Sequence, residues 1–171
     1  MLISVLQAKT ELGQHHPFEF VTLADKLNLG ASSPFEHSEI LITGETINLG
    51  DSLLVAGTIK VCGHYECNRC LDVYQLEEKI AFNECFREKT QPLSHGQVEE
   101  DFLLYEGDTI NIAELVREHL LLNEPLQTLC SETCQGLCPV CGVNRNQTKC
   151  NCTLTTVDPR LAVLSRLIQE K

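Results

Sequence analysis

The sequence predicts an α+β fold: an antiparallel β-sheet packed by a central helix, then a Cys-rich segment and a final helix. Three observations carry this expectation. Apolar side chains alternate with period two across residues 39–87. One i, i+3, i+4 stripe follows at Ile112, Leu115, Val116, His119 and Leu120. Beyond it, residues 130–155 lose all periodicity and are dominated by Cys, Gly, Asn and Thr.

Taken in order, Leu2–Leu6 and Phe18–Leu23 read as strands and Leu23–Leu29 as a short helix, with a loop around Pro34. Glu39–Leu49 is rich in Ile and Thr and ends at the turn signal Gly50-Asp51. In the next strand Leu53, Val55, Ile59, Val61 and Tyr65 share one face. Cys67–Cys70 makes a tight turn, and Tyr74, Leu76, Ile80, Phe82 and Phe86 alternate in the returning strand. Residues 88–109, polar and acidic with Pro92, Gly96, Gly107 and Glu99-Glu100-Asp101, read as a surface loop. Asn111 with Glu114 forms a capping-box pattern at the start of the central helix, and Pro125 stops it. In the last helix Asp158 is the N-cap, Pro159 suits the first turn, and Leu161, Leu164, Leu167 and Ile168 form the stripe. The expected organisation is an acidic body over residues 1–129 and a Cys-rich metal-binding segment with its C-terminal helix, packed on the body, over 130–171.

Composition narrows the function. The chain has 171 residues, 43% of them hydrophobic, which suits one domain with a small appendage. No apolar run approaches the roughly 20 residues needed to span a bilayer. The start, Met1-Leu2-Ile3-Ser4, lacks the charged and apolar regions of a signal peptide. The expected location is therefore cytoplasmic, with an organelle stroma as the alternative.

The ten cysteines carry the chemistry. Cys67 and Cys70 form one C-x2-C pair, and Cys130, Cys134, Cys138, Cys141, Cys150 and Cys152 form a run of six. Two structural Zn²⁺ ions with four thiolates each would use all eight, and such sites leave no open position for a substrate. An iron–sulfur cluster also takes four thiolates. An even cysteine count also permits disulfides, which a reducing compartment disfavours. Cys138, Cys141, Cys150 and Cys152 make a self-contained zinc-ribbon-like set. By counting, Cys67 and Cys70 then join Cys130 and Cys134; a rival pairing exchanges Cys134 with one thiol of the other set. Cys62 and Cys85 lie within strands and read as small buried apolar side chains. His15, His16 and His64 are weaker ligand candidates. No Ser/His/Asp pattern, phosphate-binding Gly loop or H-E-x-x-H is present, so no enzyme is expected.

The net charge of −11 is unevenly spread: residues 1–130 carry −13 and residues 131–171 carry +2. Phosphate binding needs Lys and Arg, so RNA or partner contact is expected at Arg145, Lys149, Arg160 and Arg166. The acidic body suits a basic protein partner, or serves solubility alone.

Five segments together resemble a known family. They are Cys67-Asn-Arg-Cys70-Leu71, Ile110–Val116, Leu121–Pro125, Cys134-Gln-Gly-Leu-Cys138-Pro-Val-Cys141-Gly-Val-Asn144 and Asp158–Leu164. In this order they are similar to the YceD family of large ribosomal RNA accumulation proteins, over roughly residues 40–168. The resemblance implies a non-enzymatic factor for large ribosomal subunit biogenesis, acting in 23S rRNA processing or accumulation. Its implied partners are the pre-ribosomal large subunit, rRNA or a basic ribosomal protein, with no membrane. Some members lack the C-terminal four-cysteine set yet keep a C-x2-C and a His or Cys four residues before a Cys. That supports pairing Cys67 and Cys70 with Cys130 and Cys134. Two alternatives stand beside this reading: an adaptor for a basic ribosomal protein without RNA contact, and a thiol-redox or metallochaperone protein.

Overall fold

The computed structural model describes residues 1–30, 33–90 and 102–152. The chain divides into two compact units: Met1–Tyr65 with Val73–Thr128, and Glu66–Asp72 with Leu129–Lys171.

The first unit is mostly β-sheet. Its elements are β1 (Leu2–Ser4), α1 (Leu6–Thr10), β2 (His15–Leu23), a 3-10 turn (Ala24–Leu27), β3 (Glu39–Asn48), β4 (Leu53–Glu66), β5 (Val73–Glu88), β6 (Leu103–Tyr105), β7 (Thr109–Asn111) and α2 (Ala113–Leu122). Five strands form one sheet in the order β2-β3-β4-β5-β6, and β1 pairs with β7 in a second. The β2–β3 and β3–β4 ladders are antiparallel, with Phe20 opposite Ile42 and Ile42 opposite Ile59. Only six residues join β4 to β5, too few for a parallel crossover, so this pair is a hairpin. The edge strand β6 runs parallel to β5, with Phe86 opposite Leu103.

The alternating pattern buries one face of the sheet. Ile40 and Ile42 of β3, Leu53, Val55, Ile59, Val61 and Tyr65 of β4, and Ile80, Phe82 and Phe86 of β5 are all buried. Ile110, Ile112, Leu115, Val116 and Leu120 belong to the same cluster. His119 of α2 stands over the Phe82 ring at 6.0 Å between centroids, while its Nε2 lies 3.6 Å from Glu84. Buried Asn48 ties the β3–β4 turn to α1. Its amide donates to the carbonyls of Ala8 and Lys9, and its oxygen accepts from the Gly50 N–H.

Four local expectations change. Leu76 is 39% exposed, because alternation assigns a side chain to a face but not the reach of the layer covering it. The stretch 88–109 is not all loop: β5 runs to Glu88, β6 lies within it, and β7 begins at Thr109. Leu6 opens α1 rather than closing a strand. Asn111 does accept from the Ala113 N–H at 3.1 Å, but Glu114 pairs with Arg117 at 3.1 Å. The start of α2 therefore carries half of the capping box. The expected acidic run Glu99–Asp101 and the final helix at 158–168 lie outside the described residues. Among the described residues, no helix is long and apolar enough to cross a membrane.

Candidate metal centre

The second unit holds both cysteine groups, and each begins with a knuckle of the same backbone design. In the first, the Leu71 N–H donates to the Cys67 carbonyl at 2.9 Å and the Cys67 N–H to the Asp72 carbonyl at 3.0 Å. In the second, the Gly142 N–H donates to the Cys138 carbonyl and the Cys138 N–H to the Val143 carbonyl, both at 2.8 Å. The residue after the second cysteine is left-handed in both, with φ of 62° at Leu71 and 75° at Gly142. This turn folds the chain back so that both sulfurs of a C-x2-C pair point to one place.

Two tetrads result: Cys67, Cys70, Cys130 and Cys134, and Cys138, Cys141, Cys150 and Cys152, with all four sulfurs of each within 4.8 Å of one another. The Cys67 and Cys134 sulfurs are 3.8 Å apart, and those of Cys70 and Cys130 are 3.7 Å apart. Four thiolates around one ion at about 2.3 Å define a tetrahedron with edges of about 3.8 Å. The donor set and spacing therefore fit a single tetrahedral ion. A disulfide needs about 2.05 Å between sulfurs. A multi-iron cluster divides its four thiolates among two or four irons and so spreads the sulfurs farther. The grouping in space follows the expectation from counting, and Cys134 is not exchanged into the second set.

Cys67, Cys70, Cys134 and Cys138 are buried, whereas Cys130 and Cys141 are exposed. Neighbouring donors ready some thiols for ionisation. The backbone N–H of Cys130, with those of Cys70 and Arg69, brings Cys67 down to about 6. The backbone N–H groups of Cys141 and Val140 bring Cys138 down to about 6. The side-chain amide of Asn146 is the main cause lowering Cys134. The Cys141 thiol, then burial, pushes Cys152 up to about 12. A metal-free tetrad thus ionises in part, and a cation is needed to hold four thiolates together.

Several residues near the tetrads carry no sequence signal of their own. The Arg69 guanidinium donates to the Cys134 carbonyl at 3.0 Å, and its own carbonyl accepts from the Leu137 N–H at 2.9 Å. Gly136, at φ 69°, lies so close that a Cβ there would meet the Arg69 carbonyl oxygen at 2.8 Å. Asn144 donates to Asp72 at 2.7 Å, and Asn146 donates to the Cys134 sulfur at 3.2 Å. The one available hint was an Asn pair in a tight loop, where amides commonly cap backbone groups.

The remaining candidates fall elsewhere. Cys62 and Cys85 are half-buried and join neither tetrad, and burial pushes the Cys85 thiol up. His64 is exposed beside the Gln75 amide at 2.9 Å. His15 lies 3.0 Å from Glu45 and His16 lies 3.4 Å from Glu11. Arg145 and Lys149 are exposed and line one cleft of about 260 Å³ with Gln135 and Cys150. Arg160 and Arg166 lie outside the described residues.

The fold and the site define a class: a β-rich α+β chain with two four-cysteine groups, each placed so that it could hold a metal ion. The family model "Large ribosomal RNA subunit accumulation protein YceD" matches residues 55–168, a stretch enclosing both tetrads, and the chain belongs to this family. An uncharacterized protein of Mycobacterium tuberculosis is 27% identical over 96 residues, covering 56% of this chain and 46% of the relative. One from Mycobacterium leprae is 29% identical over 100 residues, covering 57% and 45%. The uncharacterized protein YlbN of Bacillus subtilis is 36% identical over 73 residues, covering 42% of each. The matched stretch spans less than half the length of each of these curated relatives. No solved structure matches the chain.

Proposed function

We propose that this protein is a non-enzymatic zinc-binding factor for large ribosomal subunit biogenesis that promotes 23S rRNA processing or accumulation. The family match over residues 55–168 carries the reading, because it runs through both cysteine groups and the central helix. Zinc suits four thiolates at tetrahedral spacing, and when bound it supplies cross-linking rather than Lewis-acid chemistry, since no coordination position stays open. The chain's own residues do the rest. The knuckles at Cys67–Asp72 and Cys138–Val143 aim sulfurs, and Arg69 and Gly136 hold the segment around Cys134. Arg145 and Lys149 share a cleft, and these cations, with Arg160 and Arg166, are the proposed contacts to pre-ribosomal RNA.

The remaining architecture belongs to the same proposal: an acidic body over 1–129, a central helix packing the sheet, and the 130–171 segment with its final helix packed on the body, in a bacterial cytoplasm. Depletion of the protein from its host tests the function. Precursor 23S RNA should accumulate and mature 23S RNA should fall; unchanged levels of both would remove the reading.

A second reading has its own observation. The −13 charge over residues 1–130 favours a basic protein partner and repels phosphate, which suits an adaptor without RNA contact. Arg145→Glu with Lys149→Glu separates the two. RNA crosslinking should drop in the double variant if the cleft meets RNA, whereas an adaptor should lose no crosslinking.

A further inference from the structure

The loop between Cys141 and Cys150 belongs by sequence to the second tetrad, yet its side chains serve the first. The Asn146 oxygen accepts from the Gln135 backbone N–H at 2.8 Å. That N–H can only donate, which fixes the amide orientation, so the Asn146 NH₂ is the group facing the Cys134 sulfur at 3.2 Å. Asn146 is itself held by its neighbour, because the Asn144 oxygen accepts from the Asn146 N–H at 3.0 Å. The Asn144 amide then reaches the first knuckle, donating to Asp72 at 2.7 Å, and Gln147 reaches the same carboxylate at 3.4 Å. The Asp72 carbonyl accepts from the Cys67 N–H. One continuous chain of hydrogen bonds thus leads from Cys67 through Asp72, Asn144 and Asn146 to Cys134.

The ends of this loop are set by the second tetrad. Cys138 and Cys141 fix its start through the Gly142 turn, and Cys150 with Cys152 fixes its finish. Without four thiolates drawn to one ion, an eight-residue loop rich in Asn, Gln and Thr has little apolar surface to hold it in place. We propose that the two centres are coupled: Asn146 is a positioning residue for the Cys134 thiolate, and loading of the Cys138/Cys141/Cys150/Cys152 tetrad strengthens metal binding at the Cys67/Cys70/Cys130/Cys134 tetrad.

This inference rests on the two-metal reading, and the test separates their failures. Zinc release from the full-length protein to a chromophoric chelator is followed, with Cys67→Ser identifying the phase that belongs to the first tetrad. Hydrogen bonds to a ligand atom are typically worth about tenfold to a hundredfold in metal affinity. Asn146→Ala should weaken the first tetrad by that factor and the second by at most the same factor, because coupling between two sites is reciprocal. Asn146→Asp keeps the oxygen that accepts from Gln135 but loses the donor to sulfur, so it should weaken the first tetrad at least as much. Cys150→Ser with Cys152→Ser should weaken it too, and adding Asn146→Ala to that pair should cost little more, because residues in one network are not additive. Wild-type affinity at the first tetrad in Asn146→Asp or in the Cys150/Cys152 variant would overturn the coupling alone. Loss of both zinc ions from Asn146→Ala would also overturn it, since the residue would then support the whole segment. A wild-type protein binding no zinc would remove both the coupling and the metal reading.

Discussion

Cys67 and Cys134 are 67 positions apart in the chain, and their sulfurs are 3.8 Å apart. A metal ion held there would make the first tetrad a long-range cross-link within the second unit, and this sets the first expectation. Cys134→Ser should lower zinc content from two per chain to one by elemental analysis. Complete chelation should disorder residues 130–152, whose order draws on a metal contribution of about 10–16 kcal/mol in small zinc peptides. The sheet should persist, because Ile40, Ile42, Val55 and Ile59 form a core with no need of metal. Hydrogen exchange read residue by residue checks both halves; protection of 130–152 that survives chelation would contradict it.

Leu71 takes the left-handed place that Gly142 takes in the matching knuckle. A left-handed conformation costs a residue with a Cβ about 1–2 kcal/mol, and Leu71 is 55% exposed, so little packing offsets it. Leu71→Gly removes that cost but gains unfolded-chain entropy, which returns about 0.5–1 kcal/mol. The variant should therefore be as stable as the parent or up to about 1.5 kcal/mol more stable in denaturant titration. A loss beyond about 1 kcal/mol would show that the leucine side chain packs on something that matters.

Gly136 and Gly142 form a matched pair of left-handed glycines with different surroundings. A Cβ at Gly136 meets the Arg69 carbonyl oxygen at 2.8 Å, while one at Gly142 meets nothing within 4 Å. Gly142→Ala should cost only the backbone term, about 1–2 kcal/mol. Gly136→Ala should cost about 1–3 kcal/mol more, because carbonyl and Cβ cannot overlap and the Leu137–Arg69 hydrogen bond must yield. It should also speed zinc release from the first tetrad, and Gly142→Ala should not. Equal effects of the two on that release would contradict the assignment.

His37 and Asp25 form an exposed pair at 2.8 Å, with Glu36 also 3.8 Å from the ring. The Asp25 hydrogen bond raises His37 above 6.5, and His37 lowers Asp25 below 3.8. The His37 contribution is thus full below 6.5 and fades as pH rises through the raised folded value. The Asp25 contribution is full above 3.8 and fades as pH falls through the lowered folded value. The pair is therefore intact between those two folded values. Proton NMR titration of His37 should show a drop toward 6.5 in Asp25→Asn, and an unmoved titration would dissolve the pair.

Much of the sheet was readable from residues alone. Period two assigned Leu53, Val55, Ile59, Val61 and Tyr65 to one face, and all five are buried, because a strand's alternation directly reports its two environments. Cysteine spacing marked the knuckles, because a C-x2-C turn is closed by its own backbone hydrogen bonds. Three-residue strands such as β6 and β7 are too short to show a period, and only a neighbouring edge makes them strands. Leu76 follows the alternation and is still exposed, because cover depends on what packs above it.

The amino-acid sequence by itself determined the family, the sheet-forming pattern and the set of eight thiols, since these rest on local order and composition. The tertiary structure alone decided that the sulfurs of Cys67 and Cys134 meet at 3.8 Å and that Asn146 turns its amide to the same sulfur. Spacing along a chain carries direction only over a turn or two. Bringing atoms 67 positions apart to the edge of one tetrahedron depends on the path of everything between them.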